Sequence, residues 1–248
     1  MKTAFVICGA LAREVADIAD RHGWEADVVT VSALDHLFPE RIAPDVESKL
    51  LALREHYERI IVVYGDCGSG GALDRVLEHH GIERVAGPHC YEMYSGPLYQ
   101  ELMAQEPGTF VLTDFLVRAF RGTVLRGLGL DRFPDLKTLY FGNYRRVVYL
   151  AQTDDLALRS KAQQIAEYLE LPLEVRYTGY GLLEARLVEL MDAGTARPRK
   201  AMDDSSRAGC EPLTVSEPVA SAGRQLAVSR RWRRNAQRRR RRGRDSVY

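Results

Sequence analysis

The chain's pattern predicts an α/β fold: a mostly parallel sheet with helices on both faces, built from Rossmann-like three-layer units. Short β-branched apolar runs, at residues 4–7, 60–64 and 147–150 among others, are each followed by a segment of helical periodicity. Strand and helix then alternate regularly from Thr3 to about Asp192, which favours right-handed crossovers between parallel strands. A length of 248 residues, 46% hydrophobic and 28% charged, suits one medium-sized domain with an extension.

Residues 3–8 read as the first strand. Residues 10–22 read as a helix with Leu11, Val15, Ile18 and Ala19 on one face, capped by Gly23. The second strand covers 26–31. Pro39 and Pro44 predict irregular structure over 34–44. A helix over 45–57 turns Val46, Leu50, Leu53 and Tyr57 inward. The third strand covers 59–64, the next helix 71–80 with Gly81 closing it, and the fourth strand 84–86. Helices over 91–105 and 114–128 flank a strand at 109–112. A strand at 145–150, a helix at 154–169, a strand at 173–177 and a helix at 182–191 complete the series.

Charge is divided unevenly. Residues 194–248 carry 15 Lys and Arg against 5 Asp and Glu, whereas residues 1–193 carry 20 against 29. The boundary predicts an acidic α/β domain over 1–193 and a disordered Arg-rich tail over 194–248, too poor in apolar residues to offset its conformational entropy. Ten arginines between 230 and 244 suit phosphate neutralisation by a nucleic-acid-binding arm. Trp232 alone gives base stacking little support, and a nonspecific tail is the plain alternative. No apolar run approaches the ~20 residues of a membrane span, and Met1-Lys2-Thr3 enters a strand at once, so a cytoplasmic protein is expected. Four cysteines in so long a chain point away from a disulfide framework and toward metal or catalytic roles.

Three of those cysteines end hydrophobic runs: Cys8, Cys67 in Tyr64-Gly65-Asp66-Cys67-Gly68-Ser69-Gly70-Gly71, and Cys90 in Gly87-Pro88-His89-Cys90-Tyr91-Glu92. Ligands of open α/β sheets bind beyond the carboxyl ends of the strands, so all three thiols are expected at one edge. Their spacing lacks the Cys-x-x-Cys of structural zinc. It suits ligands given singly by separate strands, with one position left open for catalytic zinc or for an iron–sulfur cluster with an exchangeable iron. Asp66 stands beside Cys67 as a candidate catalytic carboxylate. Gly68, Ser69, Gly70 and Gly71 form a turn whose N–H groups and following helix suit an anionic group. His89 is a candidate proton carrier, with Glu92 orienting it. Gln152 and Thr153 end another strand and are candidates for substrate contact, though Thr153 or Asp154 also reads as an N-cap. Arg145 or Arg146 is a candidate partner for an anion. Each thiol also has a plain structural reading as a small buried hydrophobe.

Cys8-Gly9-Ala10-Leu11, Tyr64-Gly65-Asp66-Cys67-Gly68, the segment from Gly87 to Glu92, and Tyr140-Phe141-Gly142-Asn143-Tyr144 resemble a family of uncharacterised bacterial and archaeal proteins known as a domain of unknown function. The likeness covers about residues 3–192 and implies a setting near corrinoid-dependent methyltransferase systems. It brings no activity with it, and the Arg-rich tail departs from the family's usual shape.

The expected function is a metal-binding enzyme, or an accessory of an enzyme system, acting on a small anionic or thiol substrate. Cys8, Cys67 and Cys90 would hold zinc or an iron–sulfur cluster. The rivals are a metal-free enzyme using its thiols as acid and base, and a non-catalytic protein that binds a metal or ligand.

Overall fold

The computed structural model describes residues 2–196. The expectations for the Arg-rich tail, with Cys210, lie outside the described residues apart from the end of the last helix. Among the described residues there are seven strands: β1 (Thr3–Cys8), β2 (Ala26–Val31), β3 (Arg59–Val63), β4 (Glu83–Arg84), β5 (Thr109–Thr113), β6 (Arg146–Ala151) and β7 (Leu173–Tyr177). Every pairing is parallel, as the alternation requires. The strands divide between two sheets with helices around them, ordered β2-β1-β3-β4 and β5-β6-β7. The split falls after β4, whose two residues give way to helices before β5 begins.

β1 is the centre of the first sheet. All six of its residues are buried, and Ala4, Phe5, Val6 and Ile7 have no exposed surface. Covering a side chain of the size of Phe5 or Ile7 contributes about 1.5–3 kcal/mol. The helices that follow each strand are α1 (Ala12–His22), α2 (Ile42–Leu53), α3 (Ala72–His80), α4 (Cys90–Ser95), α5 (Pro97–Gln105), α6 (Asp114–Phe120), α7 (Leu136–Phe141), α8 (Leu156–Leu169) and α9 (Gly181–Ala196). The last one returns to the first sheet, where Leu183 and Leu187 join the core of Phe5, Ile61 and Leu73. The second sheet has its own core, with Leu112, Tyr149, Ala162 and Phe141.

Several boundaries depart from the sequence reading for local reasons. Pro44 sits in the first turn of α2, where its missing N–H is not needed, so the helix starts at Ile42. The segment before it holds two short 3-10 turns, Ala33–Leu37 and Pro39–Arg41. The helix expected over 91–105 is broken at Gly96, whose φ of +55° suits glycine, with Pro97 opening α5. The helix expected over 114–128 leaves the α form after Phe120 and continues as a π-helix, Arg121–Arg126. Asp155, rather than Thr153 or Asp154, caps α8 by accepting from Ala157 and Leu158 N–H.

One side chain fastens the carboxyl ends of β3 and β4. The Arg84 guanidinium donates to the carbonyls of Tyr64, Val85 and Gly87 at 3.2–3.3 Å, and holds both oxygens of Asp74 on α3. Arg84→Ala leaves those carbonyls without their donor and should cost about 2–4 kcal/mol in urea unfolding. Arg84 also holds the Asp74 carboxyl below the usual carboxylate range. The folded state therefore gains stability above the unfolded pKa of about 3.9 and loses it as pH falls through the lower folded value. The Arg84→Ala protein should show a flatter stability profile across that acid limb.

Candidate functional site

Sheet order reverses at β1, and open α/β sheets bind ligands beyond the carboxyl ends of the strands at such a reversal, here those of β1 and β3. Cys8 is the last residue of β1 and is buried. Val31 pairs with it from β2, and Ile7 pairs with Val63 of β3, so Tyr64 comes abreast of Cys8 on the other side.

Beyond β3 the chain keeps pairing with the segment after β4. Asp66 N–H donates to Gly87 O at 3.2 Å, and Cys67 N–H to Pro88 O at 2.8 Å. A Cβ at Gly65 would lie 2.7 Å from His89 Cα and 2.9 Å from its nitrogen, so only glycine lets the two backbones close. Cys67 follows with φ of +48°. The left-handed region costs a residue with a Cβ about 1–2 kcal/mol, and such strain clusters at functional sites. The same juncture brings in Cys90, which opens α4.

The three thiols sense one another. Burial raises the Cys8 pKa to about 12 and the Cys67 pKa to about 11, and lifts Cys90 well above the ordinary thiol value. Repulsion from Cys67 adds to the rise at Cys8, and repulsion from Cys8 and Cys67 adds to that at Cys90. Backbone N–H groups oppose the rise at each sulfur. They come from Ala10 for Cys8, from Gly65 and Cys90 for Cys67, and from Cys90 and Tyr91 for Cys90. Among the described residues, no group of three or more His, Cys, Asp or Glu side chains stands ready to hold a metal ion.

The glycine-rich turn already holds an anion, and it is Asp66. Its carboxylate accepts from Ser69 Oγ at 2.7 Å, Gly71 N–H at 2.9 Å and Gly70 N–H at 3.3 Å, which keep its pKa below the usual range. Asp66 therefore organises the Cys67 turn and occupies donors that the sequence offered to a ligand at Gly68, Ser69, Gly70 and Gly71.

His89 N-caps α4, its Nδ1 accepting from Glu92 N–H at 3.3 Å. Burial lowers its pKa, which favours the neutral ring, and because Nδ1 accepts, the proton of that form sits on Nε2. The ring meets Tyr99 edge-on at 4.5 Å and Tyr91 at 5.5 Å. Glu92 thus reaches His89 through its amide. Its carboxylate is clamped by both Nη atoms of Arg186 on α9, at 2.7 and 2.8 Å.

The second sheet brings its own buried network to its carboxyl edge. Asp114 has no exposed surface and accepts from Tyr149 Oη at 2.6 Å, Thr153 Oγ1 at 2.5 Å, Gln152 N–H at 3.0 Å and Arg118 Nη2 at 3.2 Å. Arg118 also reaches Glu14 on α1 at 3.5 Å, and Glu14 is only 3% exposed. Gln152 and Thr153 are thereby committed to Asp114. Arg146 is tied to Glu174, Thr109 and the Leu102 carbonyl at the opposite end of its strand. Arg186, Arg118 and Glu14 escaped the sequence reading because charged residues on helices look solvated until their partners are known. Asp114→Ala removes the acceptor from four donors at once and should cost about 3–5 kcal/mol in chemical denaturation.

A family model described as "Protein of unknown function (DUF1638)" matches residues 30–187, more than half of the chain. The chain belongs to the DUF1638 family. No curated protein and no solved structure matches it. In this DUF1638 chain the matched stretch takes in Tyr64, Cys67, His89, Cys90 and Asp114, and begins beyond β1 with its Cys8. Among the described residues, no helix is long and apolar enough to cross a membrane.

Gly65→Ala tests the backbone juncture on which Cys67 and Cys90 both depend. It should destabilise the protein by about 2–4 kcal/mol and speed alkylation of Cys67 by a thiol reagent; unchanged unfolding and labelling would show that the close approach has no such role.

Proposed function

We propose that Cys8, Cys67 and Cys90 together bind a soft metal ion, zinc or an iron–sulfur cluster, and that the protein is an enzyme or an accessory of an enzyme system. Its substrate is a small molecule with an anionic or thiol group. The observation that supports this reading is the arrival of three thiols at strand-to-helix junctions of one sheet, with the Cys67 charge raising Cys8, those of Cys8 and Cys67 raising Cys90, and backbone N–H groups opposing the rise at each sulfur. Isolated thiolates are unfavourable in such burial, whereas a soft cation stabilises them and the N–H donors tune the sulfurs.

The donor set fits such a metal in chemistry, although its side chains do not form a finished cage. A bound metal would supply Lewis-acid polarisation at its open position. His89 would give or take a proton at Nε2, with Tyr91 and Tyr99 fixing the ring. Asp66 would hold the Cys67 turn in shape. The resemblance to proteins encoded near corrinoid methyltransferase systems makes methyl or thiol transfer the first activity to assay.

Elemental analysis and absorption spectra of protein purified without oxygen test the proposal. Near-stoichiometric zinc without colour supports the zinc form, and iron with absorbance near 400 nm supports the cluster. Cys8→Ser, Cys67→Ser and Cys90→Ser should each abolish that retention. Wild-type protein without metal, or a Cys8→Ser variant that keeps it, would overturn the three-thiol site. A metal-free enzyme is the second reading, favoured by the lack of a ready ligand group among the described residues. It predicts that chelation leaves activity intact and that alkylating Cys67 abolishes it.

A further inference from the structure

Among the described residues, β7 is the last strand of the second sheet and pairs with β6 alone. At the other edge of that sheet, β5 is buried at every residue except the half-buried Phe110. β7 leaves Val175 38% and Tyr177 64% exposed, and Arg176 is exposed between them. Edge strands of natural proteins are usually blunted by proline, lysine, a bulge or a covering element. Leu173-Glu174-Val175-Arg176-Tyr177 contains neither proline nor lysine, and it pairs with β6 in unbroken register along its whole length.

That register decides which groups the edge presents. Val147 N–H donates to Pro172 O, and Thr178 N–H to Ala151 O, so the even-numbered residues of β7 turn their main-chain groups to β6. Direction alternates along a strand, so the N–H and C=O of Leu173, Val175 and Tyr177 turn outward. Side chains alternate as well. Leu173, Val175 and Tyr177 form an apolar row on one face of the sheet, and Glu174 and Arg176 an oppositely charged pair on the other. Arg146 holds one oxygen of Glu174 at 2.9 Å and Arg176 the other at 2.5 Å, yet half of the Arg176 side chain stays exposed.

We propose that β7 is a dimer interface, along which a second copy of this chain lays its own β7 antiparallel. The strand is complementary to itself about Val175. With Val175 opposite its twin, Leu173 faces Tyr177 of the partner subunit and Glu174 faces Arg176 of the partner subunit. Every direct cross-strand pair is then apolar with apolar or acid with base. The outward N–H and C=O groups supply about six main-chain hydrogen bonds. A slip of two residues sets Glu174 against Glu174, or Arg176 against Arg176, and like charges directly opposite are destabilising. A slip of one residue sets the outward groups against groups already bonded to β6. The pairing is two-fold and closed, so it consumes the edge instead of extending into a filament. β7 belongs to the second sheet, whereas Cys8, Cys67 and Cys90 stand at the first, so the dimer is independent of the proposed metal site.

Sedimentation equilibrium of the full chain provides the test. The wild-type protein should show a monomer–dimer equilibrium that shifts with concentration. Val175→Pro removes an outward N–H without touching the ladder to β6, and should weaken the dimer at least about tenfold with an unchanged circular dichroism spectrum. Glu174→Arg and Arg176→Glu each set like charges opposite one another and should each weaken self-association about tenfold. Mixing those two proteins restores both opposite-charge pairs, and the mixture should dimerise. A wild-type chain that stays monomeric up to about 100 μM overturns the inference. Protection of the Val175 amide from hydrogen exchange in that monomer would assign the edge to a segment of the same chain instead. A dimer that survives all three substitutions also overturns it, because its interface lies elsewhere, and so does a charge-variant mixture that remains monomeric.

Discussion

Two stretches of backbone, Gly65–Cys67 and Gly87–His89, lie closer than any side chain at position 65 would allow, and the candidate site depends on that approach. The hydrogen bonds from Asp66 and Cys67 to the carbonyls of Gly87 and Pro88 carry β-type pairing past the two-residue β4. Cys67 and the start of α4 are thereby set side by side beyond the sheet. Arg84 reinforces the juncture from beneath by donating to the Tyr64, Val85 and Gly87 carbonyls. Main-chain contacts of this kind tolerate little rearrangement, because every group they free becomes an unsatisfied buried donor or acceptor.

Around this juncture the charged groups are sorted. Carboxylates with structural work are paired: Asp66 with its own turn, Asp74 with Arg84, Glu92 with Arg186 and Asp114 with Arg118. Among the described residues, three buried side-chain atoms, Asp35 Oδ2, Tyr64 Oη and Tyr94 Oη, have no hydrogen-bond partner. The bond from Arg118 on α6 to Glu14 on α1 links helices of the two sheets.

Strands β1, β3, β5 and β6 were legible in the sequence because buried parallel strands are short, β-branched and nearly all apolar, whereas the charged β4 and the partly exposed β7 follow from the alternation of strand and helix. The places where the reading slipped share a cause. Pro44 looked like a helix breaker, yet the first turn of a helix has no use for its N–H. Thr153 looked like a cap, yet its hydroxyl donates to Asp114, and Asp155 caps α8. Glu14 lies three residues after Leu11 and four before Ile18, on the inward face of α1, and its partner Arg118 on α6 accounts for a carboxylate buried there.

Local residue patterns determined the α/β class, the order of elements and the arrival of Cys8, Cys67 and Cys90 at one sheet edge, because strand periodicity and connection length fix where each strand ends. The division into two sheets, the capture of the glycine-rich turn by Asp66, and the clamp of Arg186 on Glu92 were decided only by the tertiary structure. Each of these joins groups remote in the chain or chooses between equally available partners, and a hydrogen bond is settled by which donor arrives within about 3 Å.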